Sequence, residues 1–375
     1  MEKHTLRAAA LLCGTVIGAG VLGIPYVIAK AGFLTGLLTI LILGIAILTL
    51  NLFFGEIVLR TPGRHQIPGY AEKYLGKWGK RVMLFSMFAG IYGALIAYLI
   101  GEGESLSAIF GFSPLIFSLI FFIISSILIF LGLKTIVKYE LVFSTLILIL
   151  IIAISAFSIF SGKFNLANLA TFNLKNILIP YGVILFAFVG AAAIPEMKEC
   201  IIKERKKLKK AIIIGSVVPL IFYLIFAFAV VGVTGLNTTE VATIGLGSVL
   251  GPSILIFGNI FAIFAMFTSF LTLGLAMKQI YMYDYKIKPI LSWALTVFVP
   301  LIIFLVGAKS FIKVIGITGA FAGGMDGILI VLMFWRARKL GQRQPEYKLG
   351  KKHVIGLFLI LVFIIGIVNQ FFQLI

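Results

Sequence analysis

Gly14-Thr-Val-Ile-Gly-Ala-Gly-Val-Leu-Gly-Ile-Pro-Tyr26 decides how the rest of this chain is read. It lies inside an apolar stretch, residues 6–30, long enough to cross a bilayer, whose hydrocarbon core of about 30 Å takes roughly 20 helical residues. Gly14, Gly18, Gly20 and Gly23 crowd its middle, and Pro25 follows. Backbone polar groups in lipid must be bonded within the protein, so a helix opens at mid-membrane only where the freed groups face a site. Glycine makes that opening easier and lets a ligand approach the backbone. Packing of small residues between helices would account for Gly14 and Gly18 alone. Pro25, and a second segment patterned like this one, favour a broken helix.

Ten further apolar stretches follow, at 34–59, 82–109, 114–133, 137–161, 177–195, 211–233, 253–281, 290–306, 311–335 and 354–372, which predicts an all-α polytopic membrane protein of eleven transmembrane helices. The composition agrees, with 61% apolar and only 12% charged residues. A net charge of +19 in a soluble protein would point to nucleic acid. Here 27 of the 32 basic residues fall in alternate connections, chiefly 60–81, 198–210 and 336–352. The positive-inside rule then places the N-terminus in the cytoplasm and, after eleven spans, the C-terminus outside the cell membrane. The charge reports topology and anionic lipid, and no nucleic-acid partner is expected. The first stretch lacks a small-residue cleavage pattern and is expected to remain as a span rather than act as a signal peptide.

Cys13 and Cys200 form no disulfide or zinc pattern, and His4, His65 and His353 are scattered. No nucleophile elbow, phosphate loop or metal-binding His-Glu pair occurs, so no enzyme activity, cofactor or transition metal is expected. The connection at 61–81 contains Tyr70-Ala-Glu-Lys-Tyr-Leu-Gly-Lys-Trp78, suited to a short interfacial helix. Residues 238–251 open on Thr-Thr-Glu, a helix-cap pattern that predicts a short helix over the outer mouth.

Gly190-Ala-Ala-Ala-Ile-Pro195 in the sixth stretch repeats the spacing of Gly20-Val-Leu-Gly-Ile-Pro25 in the first, and the two spans run in opposite directions. That is the mark of an inverted 5+5 repeat with broken first and sixth helices. One membrane domain is expected over 1–375, with repeats at 6–161 and 177–335 and an extra C-terminal helix at 354–372. At such a break the N-terminal end of a half-helix offers unpaired N–H groups and a positive dipole to a carboxylate. Freed carbonyls receive an ammonium. A zwitterionic amino acid satisfies both without any charged side chain. Gly18, Ala19 and Gly20 are the carboxylate candidates, and carbonyls from Ala187 to Gly190 are the amine candidates.

These segments resemble the amino acid/polyamine/organocation superfamily and, within it, the eleven-span amino acid/auxin permease family. The residues that carry the resemblance are the 14–26 stretch with Lys30-Ala-Gly32, Phe186-Ala-Phe-Val-Gly-Ala-Ala-Ala-Ile-Pro-Glu-Met197, and Thr268-Ser-Phe-Leu-Thr-Leu-Gly274. It implies a LeuT-like fold, alternating access and amino-acid symport. It places Ile17, Phe186 and Phe188 with the backbone candidates at the substrate, and Tyr92, Tyr98 and Phe264 around it. These side chains are uncharged, which points to a neutral amino acid.

Sodium-coupled members of this fold build an ion site from first-span carbonyls and eighth-span hydroxyls. The matching positions here are Gly14, Ile17, Ala265, Thr268 and Ser269, oxygen ligands suited to a hard cation such as Na⁺. Thr268 and Ser269 would equally well bond to their own preceding turn. Thr15 stands where sodium-coupled relatives in the permease family carry Asn, which weakens the sodium case. The lysine that replaces sodium in some proton-coupled relatives has no counterpart, since 141–162 holds no ionisable residue. Asp326, within Gly323-Gly-Met-Asp-Gly327, is the candidate proton carrier, because a carboxylate deep in a span is costly. A structural hydrogen bond is its plainer role. Glu102 and Glu104 are expected to reach water near the outer end of the third span. Glu56 and Arg60, four apart, form a helix-face ion pair. Glu196 and Glu199 end the sixth span as a charged interface beside the basic connection.

The expected function is therefore sodium-coupled import of neutral L-amino acids. A proton-coupled symporter, a same-fold carrier of another small organic solute, and an amino-acid sensor without flux are the alternatives. A channel would need a regular polar stripe, which no span shows.

Overall fold

The computed structural model describes residues 3–132, 134–201, 204–350 and 352–372, with side chains for all of these except 3, 134–144 and 284. Leu133, the end of the expected fourth span, and Lys203 and Lys351 of the basic connections lie outside the described residues. Every regular element among the described residues is helical. In chain order they are α1 Lys3–Val16, α2 Gly20–Ala31, α3 Phe33–Arg60, α4 Ile67–Phe110, α5 Pro114–Leu131, α6 Lys134–Phe160, α7 Tyr181–Phe188 and α8 Ile194–Cys200. They continue with α9 Leu208–Thr234, α10 Ala242–Leu250, α11 Pro252–Gln279, α12 Pro289–Val306, α13 Phe311–Thr318, α14 Gly324–Leu340 and α15 His353–Phe372. Eight of the helical stretches are singly long and apolar enough to cross a membrane, and α1 with α2 makes a ninth, bent by 61°.

The break in that bent pair falls at Ile17–Ala19, inside the glycine run. A second interruption separates α7 from α8, where the chain passes through Val189 and Gly190 and one tight turn, Ala191–Ala193. Between α13 and α14 the helix widens to a π turn over Gly319–Gly323, just before Asp326. Glycine permits the contacts at these irregular places. A Cβ on Gly182 of α7 would sit on the Gly316 carbonyl of α13, and one on Gly319 would sit 2.5 Å from the Phe186 nitrogen. The backbones of α7 and α13 are therefore pressed together, as small residues allow in membrane helices.

The connections bear out some expectations and refine others. The stretch 70–78 holds a short helix, 67–75, as expected, and a non-helical break at Gly76 (φ 77°, ψ −169°) sets it off from the long remainder of α4, but most of its aromatic rings do not face lipid. Tyr70 and Tyr74 are buried, Tyr70 edge-on against Phe54, and only Trp78 projects, at 74% exposure. Aromatic spacing alone does not distinguish a lipid-facing ring from one that packs on α3. Residues 242–250 do form the short helix, and Thr239 of Thr-Thr-Glu accepts the Gly245 N–H of its first turn at 2.8 Å. Glu240 accepts from the Ser310 hydroxyl at 2.9 Å and the Ile312 N–H at 3.0 Å, capping the neighbouring α13. At the charged end of α8, Glu199 pairs with Arg64 of the α3–α4 connection at 2.9 Å. The Glu56–Arg60 pair forms at 2.7 Å with Glu56 fully buried, and the same carboxylate receives the Leu349 N–H. That second donor satisfies a charge that burial would otherwise leave exposed to a low dielectric.

Candidate functional site

The two interruptions meet in the interior, each packed on the other. A Cβ on Gly20 would lie 2.7 Å from both Cα and Cβ of Ala187, and a Cβ on Gly190 would overlap a methyl of Val16. Both glycines are needed for this reciprocal approach. The same two partners are tied by a third element. The Tyr223 hydroxyl, from α9, donates to the Val16 carbonyl at 2.7 Å and to the Ala187 carbonyl at 3.0 Å. Tyr223 is fully buried and its ring packs 5.2 Å from that of Phe188.

Around this junction lies a cavity of about 310 Å³. Gly14 to Gly20 line it from the first break, Phe186, Ala187 and Val189 to Ala192 from the second, and Ser86 to Tyr98 from α4. Thr268, Ser269, Thr272 and Leu273 of α11, and Thr318 to Asp326, close the remaining sides. Ile67 at the start of α4 and Ile280 just past α11 also line it. The cavity therefore reaches the face that carries the α3–α4 and α11–α12 connections. The opposite face holds the Glu240 cap on α13.

Of the residues expected at a substrate, Ile17, Gly18, Ala19, Gly20, Phe186, Ala187 and Gly190 are brought together here. Gly18, Ala19 and Gly20 donate no N–H hydrogen bond among the described residues, while Leu22 and Val21 bond back to the Ala19 and Gly18 carbonyls. Three unused donors thus belong to cavity-lining residues at the start of α2, where the helix dipole is positive. Across from them, the Phe186 and Gly190 carbonyls accept from Val189 and Ala193, and each oxygen keeps a second lone pair.

Phe188 is a correction. It is buried against Tyr223 and lines no part of the cavity, because the segment is still helical there and residues two apart on a helix point to nearly opposite sides. Two further aromatic expectations fail likewise. Phe264 is 45% exposed on the outside of α11, and Tyr92 bonds to the Tyr281 hydroxyl at 2.7 Å and the Leu295 carbonyl at 3.0 Å, away from the cavity. Tyr98 does line it.

At the expected ion position, Gly14, Ile17, Thr268 and Ser269 all face the cavity, and Gly18 approaches Ser269 closely enough that a Cβ would lie 3.3 Å from its Oγ. Ala265 is fully buried behind them, outside the cavity lining. The Thr268 hydroxyl donates to the Phe264 carbonyl at 2.9 Å and the Ala265 carbonyl at 3.3 Å, the bond to its own helix that membrane hydroxyls favour. Asp326 lines the open side of the cavity, and its Oδ1 is buried without a hydrogen-bond partner among the described residues.

Glu102 overturns another expectation. It is fully buried, and neither carboxylate oxygen has a partner among the described residues. Its distance from the helix end suggested water, but α4 runs on through the packed half of the protein.

The tryptophan/tyrosine permease family matches residues 1–373. Glutamine transporter 2 of Aliivibrio fischeri is 28% identical over 339 residues, covering 85% of each chain. Tyrosine-specific transport system 1 of Haemophilus influenzae is 26% identical over 388 residues, 97% of this chain and 95% of its own. Among solved structures, MhsT in complex with L-phenylalanine superposes with a TM-score of 0.72 over 99% of this chain and 98% of its own, at 18% identity. At that identity the likeness is one of fold, and the fold is LeuT-like.

Proposed function

The chain belongs to the tryptophan/tyrosine permease family, and from that premise we propose that it imports neutral L-amino acids across the cell membrane by ion-coupled symport with alternating access. One observation carries the reading: Gly18 to Gly20, whose N–H groups are unbonded among the described residues, and Phe186, Ala187, Val189 and Gly190 line one cavity. A carboxylate fits the first and an ammonium the second, which is the zwitterion common to all amino acids. The side-chain portion of the cavity is uncharged apart from Asp326 at its open end. Glutamine and tyrosine, for which the relatives are named, are both neutral.

Counting α6 and the α7–α8 stretch as the fifth and sixth crossings brings the spans to eleven, in one membrane domain with inverted repeats at 6–161 and 177–335. With the N-terminus cytoplasmic, the cavity opens inward. Gly14, Ile17, Thr268 and Ser269, backed by the Ala265 carbonyl, are the sodium ligands in this reading, and the closeness of Gly18 to Ser269 supports it. The unpartnered Oδ1 of Asp326 favours a second reading, in which protons drive uptake.

The test is uptake by the full chain in liposomes. A neutral L-amino acid accumulates under an inward sodium gradient, and Asp326→Asn retains that accumulation. Uptake that needs a pH gradient and disappears in Asp326→Asn moves the coupling to Asp326. Neither accumulation nor exchange under either gradient overturns the transporter reading in favour of a sensor or another solute.

A further inference from the structure

Met87, Ile91, Ala94 and Tyr98 mark the face of α4 that lines the cavity. Spacings of three and four residues keep one face of a helix, so the next positions along it are Glu102 and Ser105. Both are fully buried, and the carboxylate and the Ser105 hydroxyl have no hydrogen-bond partner among the described residues. Glu102 thus continues the lined path one turn past Tyr98, into the half of the protein that is closed. It stands eight residues from Phe110, roughly 12 Å from the end of α4 at the rise of a helix.

The closure around it is tight. A Cβ on Gly101 would meet Phe311 of α13 at 3.2 Å, and one on Gly103 would meet the Pro114 carbonyl of α5 at 2.5 Å. Among the described residues no cation pairs with the carboxyl. α5 and α12 carry no ionisable residue, α11 only Lys278 at its far end, and α13 only the exposed Lys313. The charged residues of α14, from Asp326 to Lys339, lie toward the open face, and on α4 itself the nearest titratable groups are Tyr98 and Glu104. A carboxylate sealed in a membrane protein without donor or cation is strongly disfavoured, whereas the neutral acid is tolerated.

We propose that Glu102 is a proton-binding site whose occupancy is linked to closure of the outer half of the transport path. This rests on the alternating-access reading above. When the outer half opens, the carboxyl meets water and releases its proton to that side. When the outer half closes, a proton from the same side returns to a carboxylate oxygen. The proton is exchanged on one side only and is not carried across. By linkage, a group that titrates differently in two conformations makes their ratio pH-dependent, by up to about tenfold per pH unit. Low pH favours the closed outer half and the open cavity seen here; high pH opposes them.

The reporter is Ala192→Cys, on the cavity wall, in the full chain carrying Cys200→Ser, since Cys13 is buried. Its maleimide labelling rate, normalised to the unfolded protein at each pH, is measured from pH 5.5 to 8.5. Labelling is expected to fall by roughly threefold or more as pH rises, to stay high and flat in Glu102→Gln, and to regain a pH response in Glu102→Asp. A flat response with Glu102 intact, or an unchanged one in Glu102→Gln, overturns the proposal. Amino-acid-induced thermal stabilisation on the same samples separates the two readings. Its absence removes the substrate site, whereas its presence beside a pH-independent labelling rate removes the role of Glu102 alone.

Discussion

Removing the Tyr223 hydroxyl tests whether the two helix breaks act as one site. Tyr223→Phe keeps the ring that packs against Phe188 and takes away the donor shared by the Val16 and Ala187 carbonyls. Those residues are 5% and 2% exposed, so water does not readily replace the donor. A net hydrogen bond contributes about 1 kcal/mol, and stranding a buried acceptor costs about 1–3 kcal/mol. One hydroxyl proton shared by two acceptors therefore sets a loss of about 2 kcal/mol. Where that loss falls on the geometry that binds substrate, affinity drops by about tenfold to thirtyfold, since about 1.4 kcal/mol is a factor of ten. The assay is the dissociation constant of a stabilising amino acid, from thermal shift of the purified protein, with the free melting temperature as the control on folding. A dissociation constant within about twofold of the unmodified protein would refute the claim that Tyr223 holds the breaks in register.

Gly20→Val places a branched side chain on the Ala187 backbone; it is expected to abolish amino-acid binding while the protein still inserts and purifies, and unimpaired binding counts against the crossing of the two breaks. Outside the membrane, burial raises the Glu346 carboxyl, but the Arg343 guanidinium, bonded to it at 2.9 Å, more than offsets this and holds it below the usual range. A depressed folded value means the stabilisation is present above the unfolded value of about 4.3 and is lost as pH falls through the folded one. Glu346→Gln should therefore lower the melting temperature near neutrality and flatten its decline in acid, which a pH series of melting curves reads directly.

The helical class and the break at 17–19 were legible because both depend on short-range properties, apolar length and glycine placement. The glycine-proline echo at 190–195 identified the second interruption for the same reason. Asp326 was legible as a lone carboxylate among glycines. What was not legible depended on which way a side chain turns within a packed bundle. Phe186 and Phe188 sit two residues apart in the same segment, and only the helix that continues to residue 188 sends one to the cavity and the other to Tyr223. Tyr223 itself reads as one more ring in an apolar helix; its hydroxyl becomes informative only when α9 is packed against both breaks. Glu102 failed because depth along a helix is not burial, which the packing of α5, α11 and α13 decides. Glu240 carried a cap pattern in sequence, yet it caps a helix seventy residues away.

The account stands on an amino acid held by the backbone of the two breaks, and the most direct measurement is the melting temperature of the purified full chain with each of the twenty L-amino acids, with and without sodium. A ligand that binds only the native state stabilises it by about 2.7 kcal/mol at a hundred times its dissociation constant. The account predicts that one or more neutral amino acids raise the melting temperature, that acidic and basic ones do not, and that Gly20→Val removes the response. A protein stabilised by none of the twenty, or only by charged ones, contradicts it.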